Sequence, residues 1–181
     1  MRKERVLFYF RFIFIIIILI IVLFLSFSCV FSPNKYKDEF LASAEEFQLD
    51  PYLVCAIAWV ESRFNPQAKS SAGALGIMQI MPKTGAWIAE RLAIENYEEK
   101  MLFDPSVSIR FGSFYLSHLF SIFSEEWQAI AAYNAGEGAV SEWILKGINA
   151  ETIPFRETKA YLNKVNRAVA RYRKKNILAF D

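Results

Sequence analysis

The chain has 181 residues, is 54% hydrophobic, and carries a formal net charge of +2 with one histidine and two cysteines. So small a net charge supplies no general attraction to nucleic acid. A single histidine excludes zinc sites built on several histidines and any Ser-His or Cys-His catalysis that does not use His118. No Cys/His cluster stands at metal-ligand spacing, so no metal and no other cofactor is expected.

Arg2, Lys3, Arg5 and Arg11, against a single Glu4, precede an apolar run from Phe12 to Ser28. The charge-free interval continues to Asn34 and as a helix would reach about 34 Å, enough for a bilayer core. The basic flank keeps the N-terminus cytoplasmic and exports the chain beyond Ser32. The expected organisation is a membrane segment over residues 1–31, a tether over 32–36 and one domain over 37–181. A single uncleaved transmembrane helix is the favoured reading. Two others stay open. Ser26-Phe27-Ser28 has the small-x-small spacing of a cleaved signal peptide, and Leu25-Ser26-Phe27-Ser28-Cys29 loosely matches a lipobox with Cys29 acylated. All three place the domain outside the cytoplasm, in the cell envelope.

The rest reads as helices. Lys37 to Phe47 spaces Phe40, Leu41, Ala44 and Phe47 at helical intervals. Asp50-Pro51 is an N-cap followed by proline at the first helical position, opening a helix to about Ser62 with Leu53, Ile57 and Val60 on one stripe. Cys55 lies inside this apolar helix and reads as a small core residue rather than half of a bridge with Cys29. Pro82 begins a short helix to about Leu92. Asp104-Pro105 repeats the cap signal and opens a long helix to about Phe123, where His118 between apolar neighbours reads as structural. Glu125 to Ala135 is stopped by Gly136, Ala139 to Lys146 by Gly147, and Glu157 to Lys175 is the last helix. No sustained period-two alternation occurs, so the fold class is all-α, with a small irregular hairpin around residues 73–79. Arg167, Arg171, Arg173, Lys174 and Lys175 form a basic patch: a solvated helix face, or a surface drawn to anionic wall polymer or lipid headgroups.

Three segments carry chemistry. In the first, Glu61 closes an apolar helix and is followed by Ser70-Ser71-Ala72-Gly73-Ala74-Leu75-Gly76-Ile77-Met78-Gln79-Ile80-Met81-Pro82, which contains no ionisable side chain. A carboxyl against such a surface is poorly solvated and holds its proton toward neutral pH, as a general acid must. Read alone, Glu61 can equally be a helix-end carboxylate in water. The second segment is Ala131-Ala132-Tyr133-Asn134-Ala135-Gly136, which alone could be a small-residue helix end with Asn and Gly as C-cap formers. The third runs from Ile153-Pro154-Phe155-Arg156-Glu157 to Tyr161, where Glu157 alone could be a first-turn carboxylate offsetting the helix dipole.

Together and in this order, the three segments resemble the signatures of the soluble-lytic-transglycosylase family of peptidoglycan-cleaving enzymes, in the lysozyme superfamily. The resemblance spans roughly residues 38–175. It implies a lysozyme-like helical domain acting on peptidoglycan glycan strands and cutting the MurNAc-GlcNAc β-1,4 bond. Because every long apolar run after Ser32 is amphipathic or capped, the domain is expected to be a monomer. Glycoside cleavage normally uses two carboxylates, yet residues 62–82 hold no Asp or Glu. The resemblance implies a substrate-assisted route instead. Glu61 protonates the glycosidic oxygen, then deprotonates the C6 hydroxyl of the muramoyl residue, which attacks C1 and leaves a 1,6-anhydro product. By the same resemblance Ser70 contacts the N-acetyl group, Gln79 and Met81 line the cleft, and Gly73 and Gly76 let the backbone approach the sugar. Tyr133 and Asn134 contact the saccharide, and Glu157 lies on the far side with Tyr161 one turn beyond. The alternatives are a hydrolytic lysozyme on the same fold and a non-catalytic wall-binding assembly protein.

Overall fold

The structure, a computed structural model, describes residues 11–19 and 33–178. Residues 11–19 are helical, and their apolar side chains from Phe12 to Leu19 are exposed. Among the described residues no helix is long and apolar enough to cross a membrane. The rest of the apolar run expected to do so, with Cys29, lies outside the described residues.

The domain is built from seven α-helices: α1 (Lys37–Glu46), α2 (Pro51–Ser62), α3 (Pro82–Arg91), α4 (Pro105–Ile122), α5 (Glu126–Ala135), α6 (Glu137–Leu145) and α7 (Arg156–Lys175). Two 3-10 turns, Pro33–Tyr36 and Glu99–Phe103, precede α1 and α4. No strand forms among the described residues, as an all-α chain requires. The caps expected at Asp50 and Asp104 are made. Asp50 accepts from the Tyr52 amide at 3.0 Å, and Asp104 from the amides of Ser106 and Val107 at 2.9 and 3.2 Å. Each satisfies orphan donors of a first helical turn.

α2 is the central helix. It packs most extensively on α7 and also touches α1 and α4, while α5 bridges α4 and α7. Its apolar stripe is wider than the sequence suggests. Leu53 to Ala58 are six consecutive buried residues, whereas Val60 is only half-buried. A helix enclosed by neighbours has no polar face to keep. Cys55 is fully buried and free, its thiol pushed up by burial. α6 starts at Glu137, two residues before the expected Ala139, because Gly136 at φ 87° turns the chain once and serves as the end of α5 and the N-cap of α6. Asn176 ties the end of α7 to α2, its Oδ1 accepting from Tyr52 Oη at 2.7 Å, while Ile177 N–H donates to Tyr172 C=O within the closing turn of α7.

Candidate active site

Glu61 sits in the last turn of α2, carried to the edge of the core by the buried residues before it. Beyond it Arg63 and Phe64 both lie in the left-handed region, with φ of 54° and 65°. For non-glycine residues that costs roughly 1–2 kcal/mol each. Phe64 offsets the cost by complete burial, its ring meeting Phe40 at 5.9 Å and Trp59 at 5.6 Å. The sharp turn brings residues 65–81 back across the end of α2.

That loop is fastened from three sides. Ser62 Oγ donates to Ile77 C=O at 2.7 Å, Met78 N–H donates to Ser108 Oγ of α4 at 3.3 Å, and Tyr133 Oη of α5 donates to Met78 C=O at 3.0 Å. The expected hairpin exists only as isolated antiparallel bridges, Lys69 with Leu75 and Leu75 with Ile80. Gly76 departs from the expectation that it passes close to a sugar. Its φ is 75°, and a Cβ there would lie 1.8 Å from the Leu102 carbonyl oxygen and 2.9 Å from Ser108 Oγ. What Gly76 approaches is the protein's own backbone. Gly73, at φ 93° with open space around it, is the glycine on the free side of the loop.

Tyr161, buried in the second turn of α7, donates from its Oη to Glu61 Oε1 at 2.7 Å. Burial pushes the Glu61 carboxyl up and outweighs the Tyr161 hydrogen bond, which lowers it, leaving it raised from 4.5 to about 7. Burial, and secondarily the neighbouring Glu61 charge, push the phenols of Tyr133 and Tyr161 well above their ordinary value. Both stay neutral donors at any physiological pH. Neither influence on Glu61 comes from a second carboxylate.

Asn134 follows Tyr133 at the end of α5, and its Oδ1 accepts from Thr158 Oγ1 at 2.8 Å, latching the first turn of α7 to α5. Glu61, Tyr133 and Tyr161 are thus brought together from three helices, while Asn134 is held on Thr158. Other expected site residues are placed differently. Gln79, with φ 51°, commits its amide Nε2 to the carbonyls of Gly76 and Ala68 at 2.9 and 3.3 Å, so it holds the loop in shape. Ser70 Oγ accepts from the Ala74 amide at 2.9 Å inside the turn. Met81 is 43% exposed. Glu157 is exposed in the first turn of α7 and, among the described residues, makes no hydrogen bond or ion pair. His118 packs against Trp87, ring centroids 4.9 Å apart, with Nε2 3.7 Å from a Glu137 carboxylate oxygen.

Sequence reasoning passed over Thr158, Ser62 and Ser108, the hydroxyls that fasten the site. Thr158 and Ser108 are buried polar residues, and a lone hydroxyl inside an apolar helix stretch, as in Val107-Ser108-Ile109, was the available signal. Among the described residues no group of three or more His, Cys, Asp or Glu is placed to hold a metal ion.

A family model described as the transglycosylase SLT domain matches residues 38–155. The chain is 35% identical over 158 residues to the soluble lytic murein transglycosylase of Escherichia coli K12, covering 82% of this chain and 23% of that protein. It is 30% identical over 157 residues to the membrane-bound lytic murein transglycosylase C of Haemophilus ducreyi, covering 71% of this chain and 43% of the relative. Among solved structures, an inactive Glu-to-Gln mutant of the lytic transglycosylase Slt from Pseudomonas aeruginosa superposes with a TM-score of 0.75 at 33% identity, over 82% of this chain and 25% of that one. The chain therefore spans about a quarter of the length of its E. coli relative.

Proposed function

From the chain's membership of the transglycosylase SLT family, we propose that it is a peptidoglycan lytic transglycosylase with Glu61 as its one catalytic acid and base. The observation that carries this reading is the Glu61 carboxyl, raised to about 7 by burial, held by the Tyr161 phenol and without a carboxylate partner. A group that titrates near neutrality is matched to giving a proton and then taking one.

The protonated carboxyl delivers its proton to the glycosidic oxygen between MurNAc and GlcNAc as the C1–O bond breaks. The resulting carboxylate accepts the proton of the muramoyl C6 hydroxyl, whose oxygen bonds to C1. Glu61 ends in the protonated state it began in, and no water is consumed. Tyr161 Oη, which stays neutral, keeps its hydrogen bond to Oε1 through both steps and stabilises the intermediate carboxylate. In the same reading Tyr133 and Asn134 contact the saccharide, Ser70 the N-acetyl group, and Gln79 and Met81 line the cleft. Glu157 and Tyr161 border its far side. The inactive Glu-to-Gln form of the Pseudomonas relative supports a glutamate-dependent reaction.

The domain works as a monomer outside the cytoplasmic membrane, held there by the N-terminal apolar run. The basic residues ahead of that run and the exposed apolar side chains of residues 12–19 support anchorage, as does the membrane-bound relative. The test is to digest purified peptidoglycan in ¹⁸O-labelled water and read the released muropeptides by mass spectrometry. The expected products end in 1,6-anhydro-MurNAc and carry no label. Labelled products with free reducing ends would establish hydrolysis and overturn the substrate-assisted reaction.

A further inference from the structure

On the face of α2 away from the cleft, a groove of about 250 Å³ runs between α2 and α7. Its walls are Trp59 and Val60 on one side and Lys164, Arg167 and Arg171 on the other, with Arg63 at one end. Buried Ala168 forms its floor, and the small side chain leaves the hollow. Trp59 precedes Glu61 by two residues, which places the two side chains about 200° apart around the helix. A ligand in the groove therefore leaves the cleft free.

The groove is lined by four cations and no carboxylate. Four basic side chains elsewhere meet acids: Arg110 meets Glu46, Arg173 meets Asp50, Lys146 meets Glu142 and Lys100 meets Glu98. Others do not, Arg91 lying over the Trp87 ring and Lys159 donating to the Glu151 carbonyl. Among the described residues none of the four groove cations has an ion-pair partner. Arg63 lies over the Trp59 ring at 5.8 Å, and Arg167 uses one donor, Nε, on the Asn163 carbonyl at 3.1 Å. Several guanidinium and ammonium donors converging without a counter-charge form a site for a phosphate group.

The position in the fold indicates which phosphate. Residues 33–36 form a 3-10 turn whose Tyr36 is buried in the core, so a domain anchored by the preceding run lies close to the bilayer surface. Where the tether enters α1, the Phe40 ring meets Phe64 and Phe64 meets Trp59. Two ring contacts thus join the point of attachment to the groove wall. An indole beside cations is also the side-chain pairing suited to a membrane interface.

We propose that this groove binds the phosphate of an anionic lipid headgroup, seating the domain on the membrane with its cleft turned toward the wall. The orientation and the choice of a lipid's phosphate rest on the anchorage proposed above; the gathering of unpaired cations in the groove does not. The full chain, in neutral detergent, would be titrated calorimetrically with short-chain phosphatidylglycerol, short-chain phosphatidylcholine, inorganic phosphate and poly(glycerol phosphate). Saturable one-site binding of phosphatidylglycerol is expected, at least about tenfold tighter than phosphatidylcholine or inorganic phosphate. Arg167→Gln with Arg171→Gln should weaken it about tenfold or more. Lys174→Gln with Lys175→Gln, on the same helix outside the groove, should leave it unchanged. Equal binding of phosphatidylcholine, an equal loss in the Lys174/Lys175 variant, or tighter binding of inorganic phosphate or the polymer would each overturn the lipid site. Both variants should release muropeptides like the unmodified chain. A chain that binds phosphatidylglycerol as predicted but cleaves no glycan would remove the proposed reaction and leave the groove standing.

Discussion

The properties of Glu61 follow from one contact and one environment, and both can be altered singly. Because its folded-state value of about 7 exceeds the ordinary 4.5, the native state binds this proton more tightly than the unfolded chain. The associated stability is fully present below about pH 4.5 and is lost as pH rises through 7. Glu61→Gln removes the titration while keeping an acceptor for Tyr161. At pH 8 the variant should be more stable than the unmodified chain by roughly 2–3 kcal/mol, converging with it near pH 4. Urea unfolding at the two pH values measures this, and an identical offset at both would refute a raised carboxyl. The same substitution should abolish lysis by more than the ~10²–10⁴-fold of a single acid-base contribution, since both proton transfers are lost. Tyr161→Phe acts in the opposite sense on the titration. It removes the hydrogen bond that favours the carboxylate, so Glu61 should rise further and the alkaline limb of kcat/KM should move to higher pH. The maximal rate should fall about tenfold for want of the charge-assisted bond. A lower rate with an unmoved pH profile would mean that Tyr161 serves only to pack.

At the scale of elements, the loop after α2 depends on glycines with different tasks. Gly76→Ala combines a left-handed backbone with a Cβ driven against the Leu102 carbonyl, and should cost roughly 3 kcal/mol. Gly73→Ala meets only the backbone penalty in open space and should cost about 1 kcal/mol. Chemical denaturation of the two variants checks the order, and a reversal would contradict the close approach of the loop to Leu102. The two substitutions should also separate in activity. Gly76 sets how residues 76–78 reach Ser62, Ser108 and Tyr133, so displacing it disturbs the floor beside Glu61. α2 and α7, the most extensively paired helices, carry Glu61 and Tyr161, so the hydrogen bond between them is held by the most extensive helix pairing in the domain.

For the whole molecule, the closed core of residues 36–178 predicts independent folding. Tyr36, Phe40 and Leu178 are all buried in it, and its helices are capped or terminated within it. Expressed without the N-terminal segment, residues 36–181 should be a soluble, helical monomer by circular dichroism and sedimentation. A truncated chain that needs detergent to remain in solution would contradict this. The full chain should fractionate with membranes, and protease added to spheroplasts should digest the domain while the membrane stays intact. An acylated Cys29 at a new N-terminus would replace the transmembrane anchor with a lipid one.

The helices and their ends were legible in the sequence because caps and periodicity are local. Asp50-Pro51, Asp104-Pro105 and Gly136 act on the turn they belong to, whatever packs around them. The poor solvation of Glu61 was one of two readings its sequence left open, and its burial agrees with the long uncharged segment that follows it. What surrounds it was not legible. The Tyr161 hydrogen bond joins residues 100 apart in the chain, and the Asn134–Thr158 latch joins two helices. Neither leaves a mark in local spacing. Gly76 was recognised as special but assigned the wrong neighbour, because a glycine records that something comes close and not what does. The groove between α2 and α7 was visible only as a run of basic residues on one helix. Its second wall, its hollow over Ala168 and the absence of carboxylates inside it exist only once the two helices pack side by side.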